Sequence, residues 1–180
     1  MTTPPRSPLL ADVSQECSTS PPIRLFGIGN PFRSDDRVGR WIAQQLSDLN
    51  SPSIGIYESD GDGAKLIDQW QDARVVFLVD AVSSRQPAGA LHRYEAHDIP
   101  LPNAIFGRST HHWGMADAIE LARRLHKLPP RVLVYGIEAS NFSYGLTFSA
   151  PLQAALPRLV SDLREALKMY SLALFGASNP

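Results

Sequence analysis

The 180-residue sequence predicts a single three-layer α/β domain, a mostly parallel five-stranded sheet with helices on both faces. Three observations carry that prediction. Short apolar, β-leaning runs alternate with segments of helical periodicity. Two runs, RVVFLV at 74–79 and RVLVYGI at 131–137, lack polar alternation, as expected of strands buried on both faces. No repeat or second domain is visible. Alternating elements of this kind imply a parallel sheet sandwiched between helices.

The elements follow in order. Residues 23–28 (IRLFGI), bounded by Pro22 and Gly29, are expected to form the first strand. Val38, Trp41, Ile42, Gln45 and Leu46 recur at helical spacing, which predicts an amphipathic helix over 38–49 starting near Asp35 or Asp36. A second strand at 54–58 leads to a helix at 63–71 whose Leu66, Ile67 and Trp70 face inward. The strand at 74–79 follows, with an extra strand at 90–94 expected beside it after the turn-like QPAG. A third helix is expected over 111–126, ended by LPP at 128–130. After the strand at 131–137, a closing helix runs from Ala150 to about Leu174, with Pro151 in its first turn. The stretch 96–110 is the longest without a predicted element, and long loops are often functional.

Bulk properties narrow the function classes. The formal net charge is −1 and the pI about 6.5, which argues against a nucleic-acid binder that works by neutralising phosphates. The single cysteine, Cys17, excludes an internal disulfide and reads as an exposed thiol in a Pro/Ser-rich segment. No apolar run approaches the roughly 20 residues of a membrane span. Residues 1–22 are expected to be a disordered leader, 23–174 the folded domain and 175–180 a flexible tail. A cytoplasmic monomer is the expectation.

Three places carry candidate chemistry. In GIGNPFRSDDRVG (27–39), Gly27 and Gly29 permit tight backbone geometry, and Asn30 suits a left-handed position. One of the adjacent acids reads as a helix cap, with Asp35 the better candidate. The other, Asp36, needs a nearby cation to offset the repulsion. Dinucleotide binding is disfavoured, since GIGN lacks the third glycine and acids sit where pyrophosphate would dock. Asp80 ends an apolar strand, where burial is costly without a partner. His111 or His112 opens a helix, where the dipole favours the neutral imidazole a metal needs. All three positions follow strands and belong to one edge of a parallel sheet. Two carboxylates and an imidazole suit Ni, Zn, Fe or Mn.

The same motifs, in order, resemble those of nickel–iron hydrogenase maturation endopeptidases. GIGNPFRSDDRVG resembles the family's G-[IV]-G-N-x-x-x-x-D-[DE]-x-x-G signature, DGDG at 60–63 its glycine-rich loop, and VDAV at 79–82 its strand-end acid. HHWGMAD at 111–117 and VYGIEASNFSYGLTFSAPLQAALPRLV at 134–160 resemble two further segments. The resemblance implies that Asp36, Asp80 and His111 are the metal ligands and catalytic site, Gly114 selecting His111 over His112. It also implies that Asp60, Gly61, Asp62 and Gly63 touch the substrate. The substrate implied is a hydrogenase large-subunit precursor whose C-terminal extension is removed, with nickel delivered in the substrate rather than permanently bound. Three departures stand out: Arg37 where glycine is common (expected to be solvated), the DGDGA loop, and Glu138–Ala139 in place of a frequent proline. The residues offer no Ser–His or Cys–His nucleophile pair. Two alternatives are a nickel-dependent binding module without proteolysis and a metal hydrolase acting on a small molecule.

Overall fold

The computed structural model describes residues 20–97, 101–102 and 114–176. Five strands form one sheet: β1 (Ile23–Ile28), β2 (Ile54–Ser59), β3 (Val75–Val82), β4 (Leu91–Glu95) and β5 (Arg131–Glu138). Among the described residues four α-helices accompany them: α1 (Val38–Gln45), α2 (Gly63–Gln69), α3 (Met115–Arg124) and α4 (Ala150–Phe175). The strand order is β2-β1-β3-β5-β4. All neighbours are parallel except β4, which runs antiparallel to β5. The strand predicted at 90–94 therefore exists, but not beside the strand at 74–79. β5 occupies that place, and β4 is displaced to the outer edge of β5. A short turn can return a chain only antiparallel, and the parallel position beside β3 is filled by a strand that arrives through a helical crossover.

The uniformly apolar strand divides its side chains between two cores. Val75, Phe77 and Val79 meet α1 and α4 through Val38, Ile42, Leu46, Leu152, Leu159 and Leu163. Val76 and Leu78 point the other way, onto Leu66, Ile67 and Trp70 of α2 and Ile119 and Ala122 of α3. Burial on both faces is why the strand lacks alternation. The helix expected over 38–49 ends at Gln45 and continues as a 3-10 turn, Ser47–Leu49. Of the helix expected over 111–126, Met115–Arg124 is described and helical. The leader (residues 1–19), much of the 96–110 loop, His111, His112 and residues 177–180 lie outside the described residues.

Two glycines set how α1 meets the sheet. A Cβ on Gly39 would stand 2.2 Å from the Val79 carbonyl oxygen and 2.4 Å from that of Ile28. Only glycine lets the first turn of α1 rest on the end of β1 and on Val79 within β3. Gly29 has φ of 145°, and a Cβ there would lie 1.9 Å from the Asp36 carbonyl oxygen. The loop therefore doubles back tightly, carrying Asp36 over the carboxyl end of β1. In a sheet of this order the crevice between β1 and β3 is where ligands gather.

Candidate functional site

The loop after β1 separates the roles of the two adjacent acids. Asp35 is fully buried and does not cap the turn it opens. Its carboxylate reaches across to the β5–α4 connection and accepts hydrogen bonds from the Ser140 (3.0 Å), Asn141 (3.0 Å) and Ser149 (2.7 Å) backbone N–H groups. It also accepts from the Ser149 hydroxyl at 2.7 Å. Ser149 is the residue at the N-terminal boundary of α4, so Asp35 fastens a helix more than a hundred residues away. The expectation of a local cap is thus corrected. Sequence spacing cannot reveal a partner that only the fold brings near. Burial alone would push this carboxyl up, but the four donors outweigh it and hold it below its ordinary value of 3.8.

Asn30 is also different from its expected role. It is not left-handed; Gly29 takes the positive φ instead. Asn30 Oδ1 accepts from the Phe32 N–H at 2.9 Å, closing the loop as an Asx turn. Its own N–H donates to Asp36 Oδ2 at 3.3 Å. Asp36 is buried, at the point where the 3-10 turn Ser34–Arg37 touches β3.

Asp80 comes from β3, opposite Gly136 of β5, and its Oδ1 accepts the Ala81 N–H at 2.8 Å. The residue retains some exposure as a whole. Burial of the carboxyl, followed by the nearby charge of Asp36, pushes its pKa up to about 8. The structure thus brings Asp36 and Asp80 together, and it is Asp80, not Asp35, that confronts Asp36. His111 lies outside the described residues, and among those described no three His, Cys, Asp or Glu side chains form a metal cluster. Helix α3, which follows His111, is capped from within: the Gly114 N–H donates to Asp117 Oδ2 at 3.4 Å. That bond gives the closing acid of HHWGMAD a structural role.

The Asp60–Gly63 loop sits beyond the carboxyl end of β2. Asp60 pairs with Lys65 at 2.8 Å, and Asp62 caps α2 by accepting from the Ala64 and Lys65 N–H groups. Both acids therefore hold the loop's shape, and its position at the carboxyl end of β2 leaves it on the site's edge of the sheet.

Two departures from the family pattern have structural partners. Arg37 is not simply solvated: its guanidinium lies 4.3 Å from the Phe148 ring centroid, and its buried Nε has no hydrogen-bond partner among the described residues. Glu138 is buried and accepts from the Ser84 N–H (2.7 Å), the Ser84 hydroxyl (2.8 Å) and the Gln86 N–H (3.2 Å). His92 Nε2 is 3.2 Å from Glu138 Oε2 and 3.4 Å from Ser84 Oγ. Ser84 and His92 thus form a polar contact. It is a clamp between β3, β4 and β5 and not a nucleophile relay, because the hydroxyl donates to Glu138 and the same imidazole nitrogen faces both partners. Sequence separation hid it, since Ser84 and Glu138 meet only across paired strands.

Comparison with known proteins places this arrangement. The family model described as hydrogenase maturation protease matches residues 45–166. The chain belongs to the hydrogenase maturation protease family. The hydrogenase expression/formation protein HupD of Thiocapsa roseopersicina is 26% identical to this protease over 160 residues, covering 88% of this chain and 71% of HupD. The hydrogenase maturating endopeptidase HybD from E. coli shares its fold with a TM-score of 0.69 at 18% identity, over 82% of this chain and 93% of HybD. The [NiFe] hydrogenase maturation protease HybD from Thermococcus kodakarensis aligns with a TM-score of 0.64 at 20% identity, over 81% and 98% of the two chains. The protease thus has the fold expected of it. No described helix is long and apolar enough to cross a membrane.

Proposed function

We propose that this protease removes the C-terminal extension of a hydrogenase large-subunit precursor, and that it acts on the nickel-loaded form. In this reading Asp36, Asp80 and His111 contact the nickel carried by the substrate, so metal insertion licenses cleavage. The observation that carries it is the convergence at one sheet edge of two carboxylates, Asp36 from the 3-10 turn after β1 and Asp80 from β3. Bringing two carboxylates together costs folding energy, and a divalent cation reverses the sign of that interaction. Oxygen donors of this kind, completed by one imidazole, fit nickel among the borderline divalent ions. Three protein ligands leave room for the substrate's own groups.

The remaining residues divide the other tasks. Asp35 holds the β5–α4 connection so that the loop bearing Asp36 cannot drift. The Asp60–Gly63 loop offers shaped backbone at the same edge to an incoming chain. The protease would work as a cytoplasmic monomer with a protein substrate and without a resident metal.

The test mixes the purified chain with nickel-loaded and nickel-free precursor and weighs the products by mass spectrometry. A shortened subunit should form only from the loaded precursor. Asp36→Ala, Asp80→Ala and His111→Ala should each abolish shortening while unfolding cooperatively. Full processing by His111→Ala would sink the triad. Nickel-dependent association without a shortened product would point to a binding module.

A further inference from the structure

Phe32, Tyr144 and Leu146 are 66%, 84% and 65% exposed, and they lie on two loops that are laced together. The Gly145 N–H donates to the Phe32 carbonyl and the Ser34 N–H to the Gly145 carbonyl, both at 2.9 Å. Arg33 and Gly145 pair as a parallel bridge. Three large apolar side chains on a backbone so firmly tied contribute nothing to either core. Exposed apolar clusters of this kind mark interaction surfaces.

Position and charge narrow the occupant. Phe32 lies four residues before Asp36, and the Ser34 and Asp35 N–H groups bind the opposite loop, so the strip runs up to the carboxylate site. Arg33 lies 5.9 Å from the Tyr144 ring centroid, with its Nε donating to the Phe142 carbonyl. Arg37 adds a second cation, steadied on Phe148 with a buried Nε that has no acceptor among the described residues. Among the described residues neither arginine pairs with a carboxylate. A guanidinium held this way suits a carboxylate or carbonyl of an incoming chain. A second copy of this protein seated here would cover Asp36 and exclude the substrate. The acids beside the strip disfavour a nucleic acid.

We propose that Phe32, Tyr144 and Leu146, with Arg33 and Arg37, seat the precursor's polypeptide next to the scissile bond, as an extended segment with apolar side chains and a carboxylate. This rests on the protease reading above. The structure supplies two kinds of grip: apolar side chains settle among the three exposed residues, and the arginines hold polar groups of the segment in register with Asp36 and Asp80.

Steady-state processing of a nickel-loaded precursor, together with its direct binding to the protease, tests the seat. Phe32→Ser, Tyr144→Ser and Leu146→Ser should each raise KM about fivefold or more while kcat stays within about twofold. Met169→Ser and Leu172→Ser, equally exposed apolar residues at the far end of α4, should change neither. Arg37→Gln should raise KM in a salt-dependent way, with Arg37→Lys restoring part of the loss. Cleavage by the wild type with an unchanged KM in the folded triple serine variant overturns the seat and leaves the protease reading intact. Precursor binding by the wild type without cleavage, lost in the serine variants, defeats the protease reading and upholds the seat.

Discussion

Asp80 shows how the placement of a single side chain can cost stability. Its carboxyl titrates near 8 in the folded chain, raised first by burial and then by Asp36, against an ordinary value of 3.8. A folded pKa raised above the unfolded one stabilises fully below pH 3.8, and that contribution drains away as pH climbs to about 8. Asparagine cannot titrate, so Asp80→Asn escapes the loss. In a chelating buffer the variant should melt above the wild type, with a gap that widens from pH 5 to pH 8 and then levels off. Thermal denaturation at several pH values checks this, and a gap independent of pH would show that Asp36 and burial do not act on Asp80 as described. The same variant should fail to process precursor. Arg37 and Glu138 make a related point: both depart from the family pattern, and both have partners, Phe148 and the Ser84–His92 pair. Their identities were legible in the sequence, but their partners were not.

At the scale of elements, the longest helix depends on a carboxylate in the first loop. Asp35 satisfies three backbone N–H groups around the β5–α4 connection and the N-terminal boundary of α4, and no residue near Ser149 in sequence replaces it. Asp35→Ala would strand those donors in a buried setting, where each unsatisfied group costs about 1–3 kcal/mol. Urea unfolding should therefore show a loss of about 3 kcal/mol or more, with partial loss of processing because the Asp36 loop loosens. The acid limb should change too. Because the Asp35 carboxyl is held below 3.8, its contribution is present above that pH and vanishes as pH falls through the lower folded value. The wild type should lose its advantage over Asp35→Ala there, and an advantage that survives strong acid would place the stabilisation elsewhere. The element boundaries themselves were largely readable, because α2 carries helical periodicity and β3 an unbroken apolar run. The neighbour of β3 was not, since a strand's partner depends on the path of its crossover.

For the whole molecule, two apolar clusters on opposite faces of the sheet hold the fold. A ligand that binds only the folded state raises its stability in proportion to its occupancy. If nickel arrives with the substrate, EDTA treatment of the isolated chain should leave Tm within about 2 °C, since about 1 kcal/mol moves a domain of this size by 2–4 °C. A larger drop on chelation, reversed by added nickel, would mean that the chain keeps a metal of its own. The seat beside Asp36 belongs to this scale as well, because it joins loops from the two ends of the chain into one surface.

The sequence by itself determined the α/β class, the apolar strands, the sheet edge that gathers the acids and, through ordered motifs, the family. These are properties of periodicity and local geometry, where neighbours along the chain decide the outcome. Tertiary structure decided which acid does what. Asp35 and Asp36 are adjacent and chemically identical, yet one turns to Ser140, Asn141 and Ser149 while the other meets Asp80. The physical reason is the close rest of Gly39 on the end of β1 and on Val79 of β3, which fixes the turn before α1 and so the direction of each carboxylate.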